Sequence, residues 1–409
     1  MLLAGRLRLR RRLRWLAAVA LLVAACSGPA QSRPAPSRPA GSPAATAGAA
    51  RGGTATPSAS PTPSGPCASA QAATPAPGLT SQLPVLLLAS GLNGPDDMLT
   101  NGDELLVGEF LAGRIAVLGG RGGQTSLPGH IPEVEGIANV GGTLYVGDQA
   151  DDRVVALAPD GGVRTVLQLQ PVRGIEGVDQ IAGDGTQLVV PDSARGQVLF
   201  VGTSGQVQRA VSGFDRPTGA WPLPGGAVLV ADENGGRVDR LDPSGGRTVL
   251  ASGLGLADDV AETADGHVYA IGISAGVLDE LAGGGLQPLV RGFGQAQGLE
   301  HDHAGNPIVS DYNTGRVVVA VTSFRLAAPA APPTLAARQP LCVGIVRAPG
   351  FGDAVTIQPG SGYQVVSSPG AGAQGEVLPD ACHAGACQVQ VRVSSGSRQD
   401  ATWLSYAGG

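Results

Sequence analysis

Acidic residues recur at one position of a repeated five-residue segment, and their types and spacing could support chemistry. The segment occurs as PDDML, VEGIA, VDQIA, PTGAW, ADDVA and AQGLE, starting at residues 95, 134, 178, 217, 257 and 296. Its second residue is Asp96, Glu135, Asp179, Thr218, Asp258 or Gln297. If the fold brings the four carboxylates together, they repel one another unless protons or a hard cation such as calcium or magnesium offset the charge. We call these four residues the opening acids.

A second set of acids recurs with an arginine five residues later, and we call them the hairpin acids. The pairs are Glu109 and Arg114, Asp148 and Arg153, Asp232 and Arg237, and Asp311 and Arg316. An acid that ends one strand faces an arginine that starts the next, so its carboxylate can accept from turn amides or pair with the guanidinium. Because a catalytic residue is needed once, a pair repeated in most units predicts an architectural role.

The elements that position both sets are repeated units of about 40 residues. Aligned on Glu109, Asp148, Asp192, Asp232, Gly272 and Asp311, the units have spacings of 39, 44, 40, 40 and 39 residues. Each unit contains an opening segment, a glycine turn, two short β-type segments and an outer strand. Four strands at this period are typical of propeller blades, so residues 84–322 are predicted to form an all-β, six-bladed β-propeller.

The two ends of the repeat region predict how the ring closes. The sixth unit ends in APAAPP without an outer strand, and VLLLASGL at residues 85–92 matches the outer strand TVLASGL of the fourth unit. We therefore expect the N-terminal strand to complete the last blade. Residues 323–340 are predicted to be a linker. Residues 341–409, with short β segments between glycine and proline turns, are predicted to form a small β-rich domain.

The first 83 residues are predicted to lie outside the folded part. Six arginines between Arg6 and Arg14 and an apolar run to Ala25 have the organisation of an export signal, residues 1–26. The segment VAAC resembles a bacterial lipobox, which implies lipidation of Cys26, palmitate included; an ordinary secretory signal is the alternative, and the arginines also permit twin-arginine export. Residues 27–83, rich in Ala, Pro, Ser and Thr, are predicted to be a disordered tether. These features predict a protein outside the cytoplasm, held at the cell surface by its lipid.

The four other cysteines are an even number, which suits disulfides in an oxidising compartment. Three pairings are possible, and we favour Cys67 with Cys342 and Cys382 with Cys387. Ring closure would bring the first two together, and the other two flank only HAGA. A zinc site beside His383 is the rival interpretation, but the segment has one histidine and no paired CxxC spacing.

Composition excludes several classes of function. Aromatic residues make up 3% of the chain and its net charge is −6, which gives nucleic acid neither a stacking platform nor a basic surface. The sequence contains no G-x-S-x-G, Walker or HExxH motif. His301 and His303 alternate and could share a face, but they occupy the position of a glycine turn in the other units, so an exposed turn is the favoured interpretation.

The D-x-x-x-x-R-V pattern with its glycine turns resembles NHL-repeat propellers, and the opening segments resemble those of the gluconolactonase or senescence marker family. That family holds a divalent metal with Glu, Asn and Asp at such openings. The resemblance therefore implies Asp96, Glu135, Asp179 and Asp258 as candidate ligands for calcium or another divalent cation. The sequence departs from the family at Thr218, where an Asn is expected.

Two functions remain open at this point. The first is a lipid-anchored propeller that binds a small molecule, a glycan or a protein; the second is a metal-dependent hydrolase of the lactonase or esterase type, with its site at the propeller axis. Because propellers support both, the motifs indicate the fold better than the function. We expect a monomer.

Overall fold

The structure is a computed structural model that describes residues 75–121, 123–327, 334–335, 339–382 and 385–408. The signal peptide, most of the tether, Cys26 and Cys67 lie outside the described residues, so the predictions made for them stay predictions. Apart from two 3-10 turns, Gln149–Asp151 and Ser193–Arg195, the described secondary structure is all β. None of the described residues form a helix with the length and apolarity that a membrane crossing requires.

Six antiparallel sheets, each with four main strands, follow one another along the chain, and the main strands of sheets 1–5 pair in sequence order. Sheet 1 contains Pro95–Asn101, Glu104–Glu109, Arg114–Gly120 and Gly123–Ser126. Sheet 2 contains Val134–Val140, Thr143–Asp148, Arg153–Leu157 and Val163–Gln168. Sheet 3 contains Ala182–Gly183, Gln187–Asp192, Gln197–Gly202 and Val207–Ser212.

The next three sheets have the same plan. Sheet 4 contains Pro217–Pro222, Val228–Asp232, Arg237–Leu241 and Arg247–Ser252. Sheet 5 contains Ala257–Glu262, Val268–Gly272, Val277–Ala282 and Gly285–Arg291, with Thr80–Ser81 added at its outer edge. Sheet 6 contains Ala296–His301, Pro307–Asp311, Arg316–Ala320 and, as its outer strand, Val85–Ser90.

The N-terminal strand pairs with the sixth sheet, as the sequence predicts. Val85 lies opposite Ala320 and Ser90 opposite Arg316, in antiparallel register. The first strand of each sheet contacts the first strand of the next, and that of sheet 6 contacts that of sheet 1. The sheets therefore form a closed ring around a centre lined by their first strands, which is the arrangement of a β-propeller.

A separate apolar core fills each interface between neighbouring sheets. Successive residues of a strand point to opposite faces, so one strand serves two cores. In sheet 1, Leu105 and Val107 pack against sheet 6, whereas Leu106 packs against sheet 2. This double burial explains why the strands are apolar at consecutive positions and why no sheet could be stable alone.

The glycine before the Arg-Val strand is required where the chain passes to the next sheet. Gly315 has φ +65°, and a Cβ placed there would lie 2.5 Å from the carbonyl oxygen of Leu92. The amide of Leu92 donates to the carbonyl of Gly315 at 3.0 Å, which fixes the chain that enters sheet 1. Glycine adopts this conformation without a steric cost and leaves room for the contact.

Two further sheets follow the ring. Sheet 7 contains Phe324–Ala327, Leu341–Arg347, Gln374–Pro379 and Tyr363–Ser367, and sheet 8 contains Thr334–Leu335, Arg398–Gly408, Cys387–Ser395 and Thr356–Ile357, each in spatial order. They share an apolar core that also includes Ala304 of the ring. Four residues of the predicted linker, Phe324–Ala327, thus form a strand that pairs with Leu341–Arg347.

One of the two disulfides predicted from the sequence is present in this region. Cys382 and Cys387 form a disulfide, as predicted. Cys342 is also disulfide-bonded. Its predicted partner, Cys67, is outside the described residues, and that pairing stays a prediction.

The C-terminal sheets contact the ring at turns that follow the first strands. Arg392 pairs with Asp103 after the first strand of sheet 1, and Arg398 pairs with Asp265 after that of sheet 5. The amide of Gln399 donates to the carbonyl of His303 in sheet 6 at 3.1 Å. The opening acids lie at the other end of these strands, so these contacts are made at the opposite end from them.

Candidate functional site

The hairpin acids are fully buried and each is paired with its arginine. Asp311 Oδ2 accepts from Arg316 Nε at 3.1 Å and Nη2 at 2.9 Å, and its two oxygens also accept from the amides of Gly294 and Gln295. Those amides belong to the chain that enters the opening of sheet 6. Glu109, Asp148 and Asp232 form the equivalent ion pairs. Glu109, Asp232 and Asp311 therefore tie their hairpins to their own sheet openings through backbone amides, whereas Asp148 Oδ1 has no partner among the described residues.

The opening acids occupy a different environment at the centre of the ring. Asp96, Glu135, Asp179 and Asp258 are between 1% and 5% exposed. Burial, and next the charge of Asp179, raise the pKa of Asp96 well above its usual value. The pKa of Asp258 is raised by burial and then by Asp179 and Asp96. The four carboxylates, which come from sheets 1, 2, 3 and 5, are therefore within electrostatic range of one another.

Glu135 has the least favourable surroundings of the four acids. Burial, the charges of Asp96 and Asp179, a hydrogen bond with Asp179 and the charge of Asp258 all raise its pKa. None of these five contributions favours the charged form. Glu135 Oε2 also has no hydrogen-bond partner in the part of the chain that the structure describes. A carboxylate in this position needs a proton or a cation.

Two side chains, Arg216 and Ser193, hold the carboxylate of Asp179 in place. Arg216 Nη2 donates to Asp179 Oδ2 at 3.0 Å, and Arg216 also pairs with Glu233. Ser193 Oγ lies 3.0 Å from the same oxygen of Asp179 and 2.6 Å from the carbonyl oxygen of Pro217. Arg216 also lowers the pKa of Asp258, against the larger effect of burial. The guanidinium of Arg216 therefore interacts with three acids, Asp179, Glu233 and Asp258.

The other two opening positions, Thr218 and Gln297, carry neutral side chains that are engaged in hydrogen bonds. Thr218 is fully buried, and its hydroxyl lies 2.8 Å from the carbonyl oxygen of Asp258 and 3.1 Å from that of Ala257. It therefore links sheet 4 to the backbone of sheet 5. Gln297 hydrogen-bonds with Asp96 and accepts from Gln295 Nε2 at 3.0 Å.

A second layer of acids, which we did not predict, lies directly after the openings. Asp97 accepts from the amides of Met98 and Ile137, and Asp259 from those of Val260 and Leu299. Each carboxylate thus joins its own sheet to the next. Burial raises the pKa of Asp259 to about 8, although its two backbone hydrogen bonds act in the opposite direction.

The sequence does contain a signal for this layer, because the residue after the opening position alternates. Sheets 1, 3 and 5 have Asp97, Gln180 and Asp259 there, whereas sheets 2, 4 and 6 have glycine. A Cβ at Gly136 would lie 2.4 Å from the amide nitrogen of Ile181, and one at Gly298 would lie 2.3 Å from the carbonyl oxygen of Asp96. The glycines leave space for the neighbouring sheet, and the three larger side chains reach across its edge.

His301 and His303 have separate partners. The ring of His301 lies 5.3 Å from that of Trp221, centroid to centroid, and Nδ1 lies 3.0 Å from the carbonyl oxygen of Asp302. His303 is exposed, and its Nε2 bonds the carbonyl oxygen of Gly102 at 2.7 Å. Asp302, between them, is buried, so only part of this segment is the exposed turn that we expected.

The donor chemistry of the centre fits a hard cation. Asp96 Oδ1, Glu135 Oε2 and Gln180 Oε1 are buried oxygens without a partner among the described residues. Calcium and magnesium are bound by carboxylate, amide and carbonyl oxygens. No three His, Cys, Asp or Glu side chains in the described ranges already stand in a metal-holding arrangement. Cation binding would therefore require these side chains to turn toward a common point.

Comparison with known proteins informs the fold. No protein-family model matches the chain, and no curated protein matches it. Among solved structures, a gluconolactonase from Xanthomonas campestris is similar with a TM-score of 0.51 and 14% identity, over 61% of this chain and 97% of that one. The fold is a gluconolactonase-like β-propeller. At this identity the likeness informs the fold alone.

A second solved structure, a virginiamycin B lyase from Staphylococcus aureus, has a TM-score of 0.47 and 13% identity, over 59% of this chain and 98% of that one. Its TM-score is too low to support an argument about this chain.

Proposed function

We propose that sheets 1–6 are the six blades of one propeller and that sheets 7 and 8 form a small C-terminal β domain. The closed order of contacts between first strands supports the first part. A shared apolar core within sheets 7 and 8 supports the second.

We also propose that the chain is a divalent-cation-dependent hydrolase of lactones or related esters, with its site at the centre of the ring. One observation carries this proposal: four buried carboxylates repel one another there, and two of them have an oxygen without any partner among the described residues. Such a cluster has too little positive charge to be stable with all four groups ionised. A divalent cation would balance it.

The residues at the centre have distinct roles in this proposal. Asp96, Glu135, Asp179 and Asp258 would hold the cation, which when bound supplies a Lewis acid for a lactone carbonyl and a site for water. Arg216 and Ser193 hold Asp179 in place through hydrogen bonds to its Oδ2. Because the sequence has no nucleophile motif, water is the attacking group that we expect.

A ligand- or protein-binding module is the second candidate, and the depth of burial favours it. The opening acids are at most 5% exposed, which leaves little surface for a substrate to reach. In this case the cation would stabilise the ring, and binding would use the outer surface. The partner would be a small molecule, a glycan or a protein.

Thermal denaturation of the full chain with and without divalent cations separates these functions. After chelation, calcium or magnesium should raise the melting temperature of the wild type, and Asp258→Ala should abolish the rise. A response together with turnover of a panel of δ-lactones, γ-lactones and aryl esters supports the hydrolase. A response without turnover favours the binding module, and no response would remove the cation site from both.

We further propose that the protein is a bacterial lipoprotein, with Cys26 lipidated and Cys67 paired with Cys342. The predicted tether, residues 27–83, is shortened at its end, because Thr80–Ser81 forms a strand of sheet 5. Support comes from the sequence pattern that precedes Cys26. Metabolic labelling with a palmitate analogue should mark the wild type and leave Cys26→Ala unmarked. Labelling of both would contradict the site.

A further inference from the structure

Gln180 reaches across the centre of the ring from sheet 3. Its Nε2 donates to Asp258 Oδ2 in sheet 5 at 3.2 Å and to the carbonyl oxygen of Gln297 in sheet 6 at 2.5 Å. The side chain is 3% exposed. Both neighbours of the nitrogen are acceptors, so the hydrogen-bond network assigns that end of the amide as nitrogen and directs the oxygen elsewhere.

The amide oxygen of Gln180 has no hydrogen-bond partner within the described ranges. The same is true of Asp96 Oδ1 and Glu135 Oε2, which belong to the cluster that Gln180 crosses. A buried carbonyl oxygen without a partner destabilises the folded state, because it has lost its hydrogen bonds to water. The carboxylates of this cluster are acceptors only when they are ionised, so in that state they offer the oxygen no donor.

The other neutral side chains of the centre are already engaged in hydrogen bonds. The Thr218 hydroxyl is within hydrogen-bond distance of backbone carbonyls of sheet 5, and the Gln297 amide is bonded to Asp96 and Gln295. The Gln180 side chain is therefore held through its amide nitrogen, while its amide oxygen has no hydrogen-bond partner among the described residues. Calcium accepts amide oxygens among its six to eight ligands, whereas magnesium usually keeps several waters.

We propose that Gln180 Oε1 is a direct ligand of the central cation and that it makes the site a calcium site. This inference rests on the proposed cation site, which it extends by one residue that the opening pattern does not contain. The amide nitrogen, held by sheets 5 and 6, fixes the ligand and closes the site toward the rest of the centre. A substrate then approaches from the end of the ring where the opening acids lie.

Terbium luminescence tests the ligand directly, because a lost protein ligand is replaced by water. The full chain is loaded with Tb³⁺, and its luminescence lifetimes in H₂O and D₂O give the number of bound waters. Gln180→Met should raise that number by about one and weaken calcium competition by roughly 10–100-fold, the loss typical of a residue that orders a metal site. Magnesium should compete less well than calcium with the wild type.

The matched control is Gln208→Met, which changes an exposed glutamine of the same sheet and should leave both values unchanged. If Gln180→Met does not fold by circular dichroism, Gln180→Asn, whose shorter amide cannot span the same distance, takes its place with the same expectation. Wild-type water number and calcium affinity in the folded variant would overturn the role of Gln180 while leaving the cation site intact. Absence of Tb³⁺ and Ca²⁺ binding in the wild type would overturn both.

Discussion

The hairpin acids and the opening acids are both buried carboxylates that recur along the chain, but the structure compensates their charge differently. Glu109, Asp148, Asp232 and Asp311 are 0% exposed, and each pairs with the arginine five residues later, although Arg153 also pairs with Asp151 and Arg237 with Asp239. The opening acids are similarly buried, but Arg216 donates a hydrogen bond to one of them, Asp179, and also pairs with Glu233. A recurring acid with its own partner thus builds the ring, and a recurring acid without one leaves charge for something else to balance.

A third region lies between these two cases. Asp302 in the ring pairs with Arg325 at 2.5 Å, and Arg325 also interacts with Asp400 of the C-terminal sheets. Two buried acids thus share one arginine at this contact.

Breaking a hairpin pair should have the largest effect. Asp311→Ala leaves Arg316, whose side chain is 10% exposed, without its carboxylate and removes the acceptor of two backbone amides. Removing one partner of a buried pair costs about 3–5 kcal/mol. Urea denaturation of the full chain should show a loss of that size, with the calcium response retained.

Arg316→Met provides the control for this pair. The double variant Asp311→Ala/Arg316→Met should lose less stability than the sum of the two single variants, because no uncompensated charge remains. Additive losses would mean that the pair is not coupled and that the hairpin acids are not architectural ion pairs.

The shared arginine should give an intermediate effect that depends on pH. Burial, partly offset by Arg325 and reinforced by Asp302, raises the pKa of Asp400 to about 6 from its usual value of 3.8. The folded state therefore holds a proton that the unfolded state releases, so this contribution to stability is full below about pH 4 and is lost as the pH rises through about 6. The difference corresponds to at most about 3 kcal/mol.

Between pH 4 and 7, the melting temperature of the wild type should therefore fall more steeply with rising pH than that of Asp400→Asn. Asp380→Asn, at an exposed position of the same sheets, should keep the wild-type slope. Equal slopes for wild type and Asp400→Asn would show that the shared arginine compensates both acids fully.

The sequence predicts the ring much better than it predicts the centre. The period near 40, the glycine turns and the match between residues 85–92 and the outer strands give the order of the sheets and the pairing of Val85–Ser90 with Arg316–Ala320. These signals are local, since each depends on turn geometry or on strand pattern. Phe324–Ala327 falls within the predicted linker because its partner, Leu341–Arg347, follows only after a proline-rich segment.

The opening position predicts which acids lie at the centre, but their supports depend on contacts across the ring. Gln180 meets Asp258 and Gln297, which are 78 and 117 residues away in sequence. Arg216 meets Asp179 over 37 residues. No repeat pattern contains such contacts, because they are made once, between sheets that differ at the position concerned.

Substitution of an opening acid should change the free energy of unfolding least. It should raise this free energy, whereas the substitutions above lower it. Glu135→Gln removes a charge that every contribution to its pKa disfavours, and its amide can donate to Asp179. Without divalent ions the variant should be more stable than the wild type by about 0.5–2 kcal/mol, the usual size for a stabilising substitution. Denaturation after chelation, at a pH near 8, measures this gain.

Calcium should reverse the order, because the wild type gains binding free energy that Glu135→Gln largely lacks. Asp148→Asn, which changes the hairpin acid of the same sheet, should be less stable than the wild type both with and without calcium. If Glu135→Gln instead loses stability in both conditions, as Asp148→Asn should, the opening acids are structural in the same sense as the hairpin acids. The two sets would then differ only in their partners. Arginines would stabilise the hairpin acids, and backbone amides and protons would stabilise the opening acids.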